Sequence, residues 1–287
     1  MIRSFHHSAF PPERLAGERD GSISVCVPAR ECAATIAAIV SELVALREAG
    51  AVDEVVVVDA ASGDGTARLA AGAGADVVQE ADLLPEFGPV LGKGDAMWRA
   101  LSALAGDVVC FVDGDSDGFG GHFACGLAGA VACEPGVQFV KAFYRRPFRA
   151  GEISLPEGGG RVNELAARPL LRRFYPALAD IAQPLAGEVA GRRELLASLP
   201  FATGYAVETA MLIDAYTAVG AGAIAQVDLD VRHNAHQPLH ALGAMADAVL
   251  GAVTVRLARE GRLREPVEAV EVVERPPLAS LGRTKWV

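Results

Sequence analysis

Three carboxylates at alternating positions, Asp113, Asp115 and Asp117, follow directly on the apolar run 107–112 (DVVCFV). At the end of a buried strand such a group is tolerated only where it faces solvent, a cation, or both. Two carboxylates separated by the small Gly114 suit a hard divalent ion, Mg2+ or Mn2+, that bridges diphosphate oxygens. An isolated D-x-D is more often a solvated turn. Its place here favours a ligand, because open α/β sheets bind ligands in the crevice beyond the carboxyl ends of their strands.

Other clusters carry complementary charge. Gly92-Lys93-Gly94-Asp95 opens a helical stretch, where free backbone N–H groups and a lysine attract phosphate. Gly158-Gly159-Gly160-Arg161 repeats that arrangement before another helix, and Tyr144-Arg145-Arg146 follows a strand. Arg232-His233-Asn234-Ala235-His236 also follows a strand, and a neutral imidazole there suits a first-row ion. Glu208, on a helix after Gly204-Tyr205, is placed to hold sugar hydroxyls. The full G-x-x-x-x-G-K-[ST] loop is absent, and no G-x-G-x-x-G follows the first strand, so a P-loop ATPase or GTPase and a dinucleotide-dependent oxidoreductase are disfavoured.

The elements that must position these groups alternate between short apolar runs and helical stretches, which predicts a mostly parallel sheet with helices on both faces. Strands are expected at 22–27 (ended by Pro28), 54–59 (EVVVVD), 75–79, 107–112, 138–144 and 223–231. Helices are expected at 33–47, from the turn at 60–66 through 73, and at 93–105, 161–173 and 239–260, with a turn and helix within 194–221 and a loop at 147–160. The alternation is regular up to Ala150 and irregular beyond it. This gives a 1–21 extension, a nucleotide-binding half at 22–146 and an acceptor-binding half at 147–287, fused around one sheet.

With 287 residues, 51% of them hydrophobic, the chain can bury a large core. Its net charge of -10 argues against a general nucleic-acid binder. Five cysteines, an odd number without C-x-x-C spacing, fit buried thiols in a reducing cytoplasm. The first 20 residues lack the apolar core of a signal peptide, and no uninterrupted apolar stretch is expected to span a membrane.

Taken in order, these clusters resemble the glucosyl-3-phosphoglycerate synthase family of retaining, GT-A fold glycosyltransferases (family 81), which also includes mannosyl-3-phosphoglycerate synthases. The resemblance runs from Ser22 to Arg275-Pro276-Pro277. Its most specific stretches are 143–147 (FYRRP), 158–171 (GGGRVNELAARPLL), 183–188 (QPLAGE) and 199–205 (LPFATGY).

The resemblance implies that Pro28, Ala29, Arg30 and Glu31 hold the uridine with Asp59 nearby, and that Lys93 lies on the diphosphate side. Asp113, Gly114 and Asp115 then form the nucleotide and metal turn, with Asp115 the direct ligand of Mg2+ or Mn2+. Leu185, Tyr205, Glu208 and Arg232 surround the donor sugar, and Lys93, Glu208 and Arg232 serve catalysis. Gly160, Arg161, Val162, Asn163 and Asn234 meet a small anionic acceptor. A cytoplasmic homodimer is also implied.

The sequence departs from the family pattern in places. Where the family has a metal histidine and then an acceptor-binding asparagine, this chain has Asn234 and His236, so His236 is expected to take the metal role, with His233 as substitute. Glu31 sits one position early, with Cys32 in the acidic residue's place, Ala60 replaces a serine and Asn163 a threonine. These changes leave two alternatives beside transfer of glucose from UDP-glucose to 3-phosphoglycerate. One keeps the chemistry with another acceptor, such as a sugar phosphate or cyclitol phosphate. The other is a nucleotide-sugar binding protein without turnover.

Overall fold

The computed structural model describes residues 1–150, 153–155, 160–232, 239–263 and 272–281. Its strands are β1 (Arg3–His6), β2 (Ile23–Ala29), β3 (Glu54–Asp59), β4 (Asp76–Gln79), β5 (Val108–Phe111), β6 (Phe139–Arg145), β7 (Phe148–Ala150), β8 (Ile153–Leu155), β9 (Val189–Arg192), β10 (Phe201–Ala202), β11 (Ile224–Val231) and β12 (Glu274–Arg275). The helices are α1 (Pro12–Glu18), α2 (Ile36–Glu48), α3 (Thr66–Gly72), α4 (Lys93–Ala100), α5 (His122–Ala132), α6 (Arg168–Phe174), α7 (Arg193–Ser198), α8 (Val207–Val219) and α9 (Leu239–Arg259).

Eight strands form one sheet in the order β1-β11-β6-β9-β5-β2-β3-β4. All its pairings are parallel except those of β9, which runs antiparallel to both β5 and β6. The central strands β2, β3 and β5 are buried on both faces, as a helix-covered parallel sheet requires. Val55 and Val57 of β3 enter the core beneath α2, α3 and α5, while Val56 and Val58 enter the core beneath α4, α7 and α8. This is the mostly parallel α/β architecture expected of a GT-A fold.

Several expectations are corrected. Residues 147–160 contain the antiparallel hairpin β7–β8 rather than loop alone. Strand β2 continues through Pro28 to Ala29, because its pairing with β5 has stopped at Cys26 and proline is tolerated at such an edge. The helix expected over 161–173 opens with a π-helical turn, Asn163–Ala167, before α6. Such turns are frequent at functional sites.

Several elements had no sequence counterpart, among them α1, α7, β10 and β12, and three bear on the sheet. Helix α5 is buried over nearly its whole length, and a helix apolar all round shows no amphipathic period. Strand β9 is only four residues long and includes Gly191. Strand β1, from the 1–21 extension, adds to the sheet edge beside β11.

Helix α9 also revises the membrane expectation. Over His240–Arg259 it is long and apolar enough to cross a membrane, by length and composition alone. In the fold, Val249, Ala252, Val253 and Leu257 lie in the core. Its Arg256 is buried in ion pairs with Asp214 at 2.5 Å and Glu274 at 2.6 Å.

Helix α4, which presents Lys93, is fixed from two sides. Asp95, fully buried, accepts from Leu91 N–H at 2.8 Å, Arg99 Nε at 3.2 Å and both Nε and Nη2 of Arg275 at 2.8 and 2.6 Å. On the other side α4 meets β10 so closely that a Cβ at Gly94 would lie 1.9 Å from the Ala202 carbonyl oxygen. Gly94→Ala is therefore expected to destabilise the protein by at least about 1–3 kcal/mol, as overpacking against backbone does. Urea denaturation reads this as a lower midpoint with unchanged slope, and an unchanged midpoint contradicts it.

Candidate active site

A cleft of about 700 Å3 lies at the carboxyl edge of the sheet. The chain brings its groups there by topology. Pro28 and Ala29 end β2, the 113–115 turn follows β5, Tyr144 lies near the end of β6, and Arg232 follows β11. Strand β9 runs the opposite way, so its amino end, preceded by Gly187 and Glu188, reaches the same edge.

At the centre is a clamp of charge. Lys93 Nζ donates to Asp113 Oδ1 at 2.6 Å and lies 3.2 Å from Glu208 Oε1. Arg232 Nη2 lies 2.9 Å from Asp113 Oδ2 and 3.3 Å from Asp115 Oδ1. Burial works to raise the Asp113 carboxyl, but Lys93 and Arg232 outweigh it and hold the group well below the usual carboxylate range. Burial likewise opposes the charge on Lys93, and Asp113 and Glu208 overcome it, so this ammonium stays protonated above its ordinary range.

Beneath the clamp lies a buried polar network. Arg232, 2% exposed, donates through Nη1 to Glu188 Oε1 and to the Tyr144 hydroxyl, while Tyr144 OH donates to Glu188 Oε2 at 2.9 Å. Glu188 has no solvent exposure. The Tyr144 ring lies between two guanidinium groups, Arg146 at 5.0 Å and Arg232 at 5.5 Å from its centroid. Burial and the nearby Glu188 push the Tyr144 phenol up to about 12, so it acts as a neutral donor. Lys141, on β6, donates to the Ala186 carbonyl, and burial lowers its ammonium to about 8 against the pull of Glu208.

Gly187 shows how tightly this is built. A Cβ there would lie 2.4 Å from Asp113 Oδ2 and 2.5 Å from Lys93 Nζ. No larger residue fits without parting the ion pair.

The Lys93–Asp113 pair also sets a pH signature. Asp113 has a depressed folded pKa, so its stabilisation is present above the unfolded value and is lost as pH falls through the folded one. Lys93→Met is expected to destabilise by about 1.5–3 kcal/mol at neutral pH. That gap should shrink progressively below about pH 4. Denaturation curves of both proteins from pH 7 to pH 3 measure it, and a gap independent of pH contradicts the assignment.

Most residues singled out in the sequence line this cleft: Pro28, Ala29, Arg30, Lys93, Asp113, Gly114, Asp115, Gly160, Arg161, Val162, Asn163, Leu185, Tyr205, Glu208 and Arg232. Asn163 Oδ1 accepts from the Leu185 backbone N–H at 2.9 Å, tying the two walls together. Glu31 and Asp59 are not among the lining residues. Glu31 Oε1 accepts from Gly63 N–H at 2.8 Å, and Asp59 Oδ2 accepts from Ser62 N–H and Gln79 Nε2 at 3.1 and 3.0 Å. His233, Asn234 and His236 lie outside the described residues, as do Gly158 and Gly159.

The residues present fit a divalent ion at one point in particular. The Asp115 side chain is 70% exposed and faces the cleft beside the clamped Asp113, offering the hard oxygen that Mg2+ or Mn2+ takes.

Sequence reasoning did not find Glu188, Tyr144 and Lys141 as a supporting layer. Lys141 had a signal, being a charge inside the otherwise apolar run 139–144 (FVKAFY). It also missed the wall formed by Leu242, Met245 and Val249 on one face of α9.

The pattern of glycosyl transferase family 2 matches residues 24–116, the segment that carries β2 to the aspartate turn. The glucosyl-3-phosphoglycerate synthase of Petrotoga mobilis is 43% identical over 92% of this chain and 83% of its own length. The chain belongs to the glucosyl-3-phosphoglycerate synthase family of glycosyltransferases. Among solved structures, the mannosyl-3-phosphoglycerate synthase of Rubrobacter xylanophilus superposes with a TM-score of 0.89 at 44% identity, covering 98% of both chains. The Mycobacterium tuberculosis glucosyl-3-phosphoglycerate synthase, solved with Mn2+, uridine diphosphate and glucosyl-3-phosphoglycerate, gives 0.83 at 38% identity over 98% of this chain and 100% of that one. The glycosyltransferase family of the sequence resemblance is thus the family found.

Proposed function

We propose that this protein transfers glucose from UDP-glucose to the 2-hydroxyl of 3-phosphoglycerate, with retention at the anomeric carbon and dependence on Mg2+ or Mn2+. The observation that carries this reading is the clamp of Lys93, Asp113 and Arg232 with Asp115 beside it. It stands in one cleft with the Gly160–Asn163 segment. The M. tuberculosis relative has also been solved with Mn2+, UDP-glucose and phosphoglyceric acid together.

In this reading Pro28, Ala29 and Arg30 bound the nucleoside, and Leu185, Tyr205 and Glu208 bound the sugar. Gly160, Arg161, Val162 and Asn163 hold the acceptor's phosphate and carboxylate, with Asn234 added from the segment after Arg232. Residues 22–146 serve mainly the donor and 147–287 the acceptor. Asp115, with His236 as the histidine ligand, would hold a divalent ion, which would supply positive charge toward the diphosphate.

The bond between the anomeric carbon and the phosphate oxygen breaks as the bond to the acceptor oxygen forms, and the acceptor's hydroxyl proton passes to the departing phosphate. Lys93 faces that phosphate as a permanently charged donor. Glu208, held 3.2 Å from Lys93, is a positioning group and not a nucleophile.

The test incubates the protein with UDP-glucose, 3-phosphoglycerate and Mn2+, with NMR of the product. An α-linked glucosyl product supports the reading, and no product with 3-phosphoglycerate overturns it. The 44% identical mannosyl-3-phosphoglycerate synthase gives reason to run GDP-mannose in parallel. The acidic composition and free cysteines are consistent with a cytoplasmic enzyme. The family relation and Leu250, exposed on α9, support a homodimer, which light scattering checks.

A further inference from the structure

Away from the cleft, His6, His7 and Asp230 bring two imidazole nitrogens and a carboxylate oxygen within 4.8 Å of one another. None of the three lines the cleft. Their meeting is dictated by topology: β1 pairs in parallel with β11 from Arg3↔Ala225 to His6↔Asp228, so the N-terminal strand delivers both histidines to the carboxyl end of β11. There β11 is irregular between Asp228 and Val231, and Asp230 adopts the left-handed conformation at φ 68°. A non-glycine residue held there costs of order 1 kcal/mol or more and persists only where its surroundings fix it. It is held by its own N–H, which donates to Asp228 Oδ1 at 2.9 Å, and by side-chain bonding to both histidines, His7 Nε2 at 2.7 Å from Oδ2 and His6 Nε2 at 3.4 Å from Oδ1.

The geometry is close to that of a cation site. Ligand atoms about 2.0–2.1 Å from a tetrahedral ion lie roughly 3.3 Å from each other. His6 Nε2 already meets this spacing to Oδ1, His7 Nε2 needs to open by about 0.6 Å from Oδ2, and the three ligand atoms, within 4.8 Å of one another, must converge on one ion. His6 Nδ1 lies 2.8 Å from Ser8 Oγ. Nδ1 also accepts from the Ser8 N–H at 3.3 Å, so ion binding moves the ring proton from Nε2 to Nδ1, where it is donated to Ser8 Oγ.

The neighbouring charges permit it. His122 packs on His7 with ring centroids 4.4 Å apart. Arg145 Nη2 is 3.7 Å from Asp230 Oδ1, but its side chain is largely exposed and free to turn outward. Two imidazoles with one carboxylate favour Zn2+ over Mg2+.

We propose that His6, His7 and Asp230 form a second cation site that takes Zn2+ or a similar imidazole-preferring ion. It clamps the N-terminal strand to β11 two residues before Arg232. An ion that binds only the folded chain stabilises it and raises its melting temperature.

The experiment uses tag-free, full-length protein carrying Asp115→Ala, which removes the cleft carboxylate ligand, and titrates ZnCl2 in excess Mg2+ by calorimetry and thermal melting. One Zn2+ equivalent and a raised melting temperature are expected. Adding His7→Ala, or separately His6→Gln, should weaken that binding at least about tenfold and remove the thermal shift, with an unchanged far-ultraviolet circular dichroism spectrum as the sign of an intact fold. Equal zinc stoichiometry and an equal thermal shift in all three proteins overturn the proposal. Neither readout involves glucosyl transfer, so the outcome is independent of the proposed activity.

Discussion

Asp115→Ala is expected to lower metal-dependent turnover of UDP-glucose by about 1000-fold, equivalent to about 4 kcal/mol of transition-state stabilisation. The size follows from what the group does. Asp113 is already committed to Lys93 and Arg232, whereas among the described residues Asp115 meets only Arg232, at 3.3 Å, and its largely exposed carboxylate lines the cleft, where it can take an ion. Without it the cleft keeps its cations but loses the anchor for the ion that bears the diphosphate charge. The side chain is largely exposed, so its removal should leave the denaturation midpoint within about 0.5 kcal/mol of wild type. Steady-state kinetics over a Mn2+ series, with a denaturation curve beside it, separate the two effects. Unchanged metal-dependent turnover would remove Asp115 from the proposed role.

Glu188→Ala should do the reverse, acting first on stability. Its carboxylate is fully buried and accepts from both Arg232 and Tyr144. Removing one partner of a buried pair leaves an uncompensated charge, and the loss is typically about 3–5 kcal/mol. Arg232 then has Asp113 as its remaining buried anionic partner among the described residues, which should draw Asp113 away from Lys93. Glu188→Gln keeps the shape and a single acceptor, so it should lose less stability than the alanine variant while still lowering kcat. Chemical denaturation and kcat measured on both variants test this order. If Glu188→Ala were as stable as wild type, the network would not be holding Arg232 in place.

The charged centre of the cleft was legible because its chemistry is local. Asp113, Asp115 and Lys93 each sit next to a strand end or helix start that periodicity marks, and the structure brings them within hydrogen-bonding reach. Strand β3 was readable to its last residue, since EVVVVD is an unbroken β-branched run between turn residues. What resisted reading is what depends on distant partners. Glu188 has meaning only once an antiparallel strand turns its amino end toward the cleft. Helix α5 hides its period because it has no solvent face. Glu31 looked like a displaced uridine ligand, yet its carboxylate accepts from the turn after β3, an interaction between segments 32 residues apart.

The placement of β9 has a consequence for how the chain can be made. Residues 22–146 include β5 and β6, yet these two strands never touch, since β9 lies between them and hydrogen-bonds to both. As the polypeptide leaves the ribosome, β2, β3, β4 and β5 can assemble, but β6 must wait for a segment synthesised more than 40 residues later. Until then β5 presents an open edge of the kind that recruits other chains. A split of the gene between the two halves would leave each product with an unpaired strand, so the two halves are bound into one folding event.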